Sequence, residues 1–134
     1  MANTTFTGPV RSENGFESVT KNASTGAITV GATYGATITG GVQSLSGAGA
    51  VDLTNLVTEL TTTGADALTL ADGTTSGQVK IINMIVDGGD GTLTPTTFAS
   101  GTTITFDAVA ESVTLVWNST IGWVATSVQG ATIA

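Results

Sequence analysis

From Ala67 to Gly130 the chain is a ladder of short apolar runs cut by Gly, Asp and Thr. It reads ALTLADGTTSGQVKIINMIVDGGDGTLTPTT, then ITF, SVTLVW and GWVATSV. Runs this short, rich in β-branched residues and bounded by turn formers, fit strands and leave no room for helices of ordinary length. About eight such strands with regular turn signals predict an all-β fold, a small antiparallel β-sandwich or barrel. No segment recurs at a fixed period, which argues against a solenoid or a propeller. The ladder also holds very little chemistry: no His, no Cys and a single base, Lys80.

The rest of the composition points the same way. The 134 residues suit one domain, or one domain with an arm, and a chain of this size buries roughly two thirds of its unfolded surface. Only 10% of residues are charged, while 28 are Thr and 18 are Gly. Thr suits a half-exposed pleat and Gly suits turns, so the expected surface is neutral and rich in hydroxyls. The formal net charge is −7, with Arg11, Lys21 and Lys80 as the only bases. That balance excludes nucleic acid and anionic membrane as partners, since both require clustered cations. Without cysteine there are no disulfides and no thiolate metal sites. The opening MANTTFTGPVRSENGF lacks a basic region followed by an apolar run, so no signal peptide is expected, and no apolar stretch is long enough to span a membrane.

Two parts are distinguished along the chain. Residues 1–26 are polar and non-periodic and are expected to form an extended N-terminal arm, either disordered or docked on a partner with Phe6 and Phe16 as plugs in apolar pockets and Arg11 as a further candidate contact. Residues 27–134 are expected to form the β-domain. Within it AITVGATYGATITG alternates apolar and small polar residues, with Gly31 and Gly35 as possible bulges. Leu53, Leu56, Val57 and Leu60 fit helical spacing, but the surrounding Thr residues favour a strand. Pro95 marks its strand as an edge or a bulge. Ser112–Trp117 and Trp123–Val128 read as a hairpin, with Val124, Thr126 and Val128 on one face.

Residues 78–86 form the most apolar strand. Val79, Ile81 and Ile85 share one face, and Ile82, Met84 and Val86 share the other. A strand apolar on both faces is covered on both sides. In so short a chain the second cover is expected to be another subunit, so Ile82, Met84 and Val86 are the candidate subunit interface.

Candidate chemistry is sparse. Asp87 and Asp90 in DGGDGT offer two carboxylates to a hard cation, but the spacing fits a Gly-rich turn better, and no metal or cofactor is expected. A serine triad is impossible without His, Glu59 lacks an acidic partner for glycoside hydrolysis, and Lys80 is expected to point outward as a surface lysine. The protein is expected not to be an enzyme. Trp117, Trp123 and Tyr34 could stack on sugar rings; packing in a core or interface is the favoured alternative.

The segments LTLADGTTSGQVKIINMIVDGGDGTLTPTT, TITF, ESVTLVW and GWVATS resemble a β-domain of structural proteins of tailed bacteriophages. The shared features are "ADG…GQ-K", a "DGG…TP" turn, an "SV-L-W" strand and a final "W-V" strand, over roughly residues 60–130. GPVRSENGF resembles the N-terminal arms of small virion proteins of marine phages. The resemblance implies a capsid decoration (cement) protein. Such a protein would be a homotrimer made in the host cytoplasm, seated on the capsid exterior with the major capsid protein as partner. The alternative it implies is a head-fibre, tail-fibre or spike module that binds a host receptor or glycan.

Overall fold

A computed structural model describes residues 16–34 and 40–134, which belong to two compact units, 1–39 and 40–134. In the first, β1 (Phe16–Lys21) and β2 (Ile28–Tyr34) form an antiparallel hairpin across the Asn22–Gly26 turn. The Asn22 side chain closes that turn by accepting the Ser24 and Thr25 N–H groups. Ser18 pairs with Ala32 and Val19 with Val30, so Gly31 is a bulge, as its place in the sequence suggests. Residues 16–21 are thus strand, and the expected boundary at 26/27 falls inside a hairpin.

The second unit is all β, two mixed sheets of five strands each, not closed into a barrel. Its strands are β3 (Val42–Ser46), β4 (Gly49–Val51), β5 (Val57–Thr61), β6 (Asp66–Leu70), β7 (Val79–Val86), β8 (Gly91–Pro95), β9 (Ile104–Phe106), β10 (Ser112–Asn118), β11 (Gly122–Gln129) and β12 (Thr132–Ile133). The first sheet has the order β11-β10-β7-β5-β3 and the second β12-β9-β8-β6-β4.

The sandwich is not purely antiparallel. From β3 to β8 the chain alternates between the sheets, so neighbours in each sheet lie one coil apart and run parallel. Each strand of one sheet serves as the long crossover that a parallel pair in the other needs. The result is three solenoid-like coils, although the sequence has no repeat. Leu45 pairs with Leu60 and Leu60 with Met84, steps of 15 and 24 residues. Leu68 pairs with Gly49 and with Leu93, steps of 19 and 25. Corners of unequal length erase the period that a sequence search detects. Beyond β8 the pairing turns antiparallel: β9 and β12 extend the second sheet, while β10 and β11 extend the first.

The core lies between the sheets, built on Leu60, Leu68, Leu70, Ile82, Leu93, Ile104, Phe106, Leu115 and Trp123. The Thr-rich stretch 50–63, expected as strand, holds the end of β4, a corner at 52–56 and β5 over 57–61, so it is strand at both ends of a turn between sheets. Two local readings are corrected. Pro95 lies on β8, an interior strand of its sheet, yet pairing with β9 ends at Leu93, so Pro95 costs no ladder bond on that side. Ser127 pairs with Thr114 and Ala125 with Leu115, leaving Thr126 as a bulge, so Val124 and Val128 face opposite sides.

Candidate functional site

Alternation along the strands gives the first sheet an outward face of unusual composition. Val42, Val57 and Ile81 lie in one row across β3, β5 and β7. Val79, Val116 and Val124 lie in the next, across β7, β10 and β11. Val42 is 53% exposed and Val79 38%. On the other side of the first row lie Ser44, Glu59, Asn83 and Ser112, where Glu59 is the one charged residue facing outward from these strands. The outward face of the second sheet is different. It carries Ala50, Thr69 and Thr94 in one row and Ala67, Thr92, Thr105 and Thr132 in another.

The inner side of β7 holds Lys80, Ile82 and Met84, all buried. Two expectations are corrected here. Ile82 and Met84 are at most 1% exposed and pack in the chain's own core, so they have no surface to offer a partner; Val86 is half-exposed at the strand end. The open side of β7 is the one with Val79, Ile81 and Ile85. Lys80 does not point outward. It is 1% exposed, in phase with Ile82 and Met84, and that alternation was the signal in the sequence.

Lys80 is held at the β4–β5 corner. Its Nζ donates to the Asn55 carbonyl at 2.8 Å and lies 3.6 Å from Asp52 Oδ1. Asp52 Oδ1 accepts the Thr54 and Asn55 N–H groups, and Oδ2 accepts Asn55 Nδ2 at 2.6 Å. Gln43 joins the network: Oε1 accepts from Asp52 N and Thr58 Oγ1, and Nε2 donates to Ala50 O. Gln78 Nε2 donates to Leu53 O beside it. Every buried side-chain polar atom among the described residues has a partner. Desolvation pushes the Lys80 ammonium below its ordinary pKa, against the opposing pull of the Asp52 charge. For Asp52 burial acts upward, but the Asn55 backbone and side-chain hydrogen bonds, the Lys80 charge and the Thr54 N–H outweigh it and hold the carboxyl below its ordinary value.

The remaining candidates fall as follows. Phe6 and Arg11 lie outside the described residues; Phe16 opens β1, with its side chain outside the description. Trp123 is fully buried, stacks at a tilt on Trp117 with centroids 5.4 Å apart, and donates Nε1–H to Ala71 O at 2.9 Å. Neither Trp117 nor Trp123 offers a platform to a sugar. Asp87 Oδ1 accepts the Gly89 N–H within its turn, and Asp90 O accepts Asp66 N. Among the described residues no group of three or more His, Cys, Asp or Glu is placed to hold a metal ion. Comparison with known proteins gives no matching family model and no matching curated protein.

Proposed function

We propose that the chain is a non-enzymatic virion structural protein that binds the outside of a phage capsid as a homotrimer and stabilises it. The observation that carries this reading is the outward face of the first sheet: Val42, Val57 and Ile81 in one row, which continues into Thr114 and Ser127, and Val79, Val116 and Val124 in the next, bordered by a polar row in which only Glu59 is charged. Covering such a face removes apolar surface from water and desolvates almost no charge. The subunit contact is placed on this face, through Val79 and Ile81. Phe6, Arg11 and Phe16 are proposed to reach the major capsid protein.

Cement action needs no reaction. Contacts that exist only on the assembled shell stabilise that state by linkage, and a trimer multiplies weak contacts through effective concentration. The test is attachment of the purified full chain to capsid shells that lack it. The expected result is saturable binding that raises the shell's disassembly temperature and is lost when residues 1–15 are deleted. Absence of binding by the intact chain would refute the reading.

A further inference from the structure

We propose that Lys80 and Asn55 join in an intramolecular amide bond, with Asp52 as the proton carrier. Three observations meet at this corner. Lys80 Nζ is buried, a setting that favours the free amine, the nucleophilic form. Its one hydrogen bond among the described residues goes to the main-chain carbonyl of Asn55, at 2.8 Å, which sets the amine beside the residue whose side-chain amide is the electrophile. Asp52 stands between the two nitrogens. Its Oδ1 is 3.6 Å from Nζ, and its Oδ2 is 2.6 Å from Asn55 Nδ2. Gly41 leaves room for the amide: a Cβ there would lie 2.1 Å from Asn55 Oδ1.

The step balances without a co-reactant. Asp52 takes one proton from the Lys80 ammonium, and the amine attacks Asn55 Cγ. The Cγ–Nδ2 bond then breaks as Asp52 returns that proton to Nδ2. The remaining amine proton that must leave goes the same way, so a Lys–Asn amide forms and one ammonium ion departs. Asn55 lies 25 residues before Lys80, so the bond would tie the corner of one coil to the strand of the next.

Intact-mass measurement of the denatured full chain tests this directly. Wild type should be lighter than its sequence by one ammonia, relative to Lys80→Met prepared in parallel, and digestion should yield a branched peptide joining the segments that carry Asn55 and Lys80. Wild type at its unmodified sequence mass would overturn the proposal. Loss of one water in place of ammonia would also overturn it, by putting the bond on Asp52. The wild-type reading stands even if the variant fails to fold.

Discussion

The two sheets share one interior but present opposite exteriors. Inside, both supply the same large apolar residues: Leu60, Ile82 and Leu115 from one, Leu68, Leu93 and Phe106 from the other. Outside, the first sheet shows Val42, Val57, Val79, Ile81, Val116 and Val124 beside a polar row of Ser44, Glu59, Asn83 and Ser112, and the second shows Thr69, Thr92, Thr94, Thr105 and Thr132 with only Ala50 and Ala67 as apolar members of those rows. Val and Thr are near-isosteric and both β-branched, so strand formation does not require the difference. Hydration does distinguish them: Thr gives water a hydroxyl at each position, and Val gives none. The folding problem is solved alike on both sides. The outward Val and Ile therefore mark the side that gains from being covered.

Breaking the shared interior should affect both sheets together. Trp123 fills the space between them and fastens the β6–β7 connection through Ala71. Trp123→Ala is expected to cost about 3–5 kcal/mol, with a single cooperative unfolding transition in urea. A second effect falls closer to the first sheet. Lys80→Ala removes the buried side chain that links β7 to the β4–β5 corner and strands the Asn55 carbonyl, at about 2–3 kcal/mol by the same measurement.

On the exteriors the two sheets should part. Ile81→Asp is expected to lower monomer stability by about 1 kcal/mol and to abolish self-association, read by light scattering after size exclusion. Thr94→Ser on the other face should change stability by less than about 0.5 kcal/mol and leave association intact. If the Thr face proves to be the sensitive one, the comparison is inverted.

Acid gives the smallest and most local test. The folded Asp52 carboxyl is held below its ordinary value, so the unfolded chain binds a proton more readily. Its stabilising contribution is therefore present at neutral pH, begins to fall near the ordinary carboxylate value of ~4 and is lost as pH drops through the lowered folded value. Asp52→Asn should remove that part of the pH dependence in melting temperatures.

Much of this architecture is legible in the sequence, for reasons that differ by residue. Ile104 and Phe106 alternate with Thr105, and Val113, Leu115 and Trp117 alternate with polar or smaller residues, so period two marks their inward side. In the stretch 50–63 the β-branched residues suit the pleat at 57–61 despite a helical spacing, whereas the corner at 52–56 carries no sequence mark of the change of sheet. Winding was not legible, since corners of unequal length leave no repeat between coils. Nor was the bulge at Thr126, which turns Val124 away from Val128. Lys80 departs from the surface preference of its type: it alternates with Ile82 and Met84, and Asp52 and Asn55, which satisfy it, lie more than twenty positions earlier. The candidate face required pairing knowledge, because Val42, Val57 and Ile81 become neighbours only when β3, β5 and β7 stack in parallel register.

The central claim is that the Val- and Ile-bearing face of the first sheet is a subunit contact. Sedimentation equilibrium of the full chain at micromolar concentration, beside Ile81→Asp, tests it most directly. The account predicts a trimer for the wild type and a folded monomer for the variant. A monomeric wild type, or a trimer that Ile81→Asp leaves intact, would contradict it.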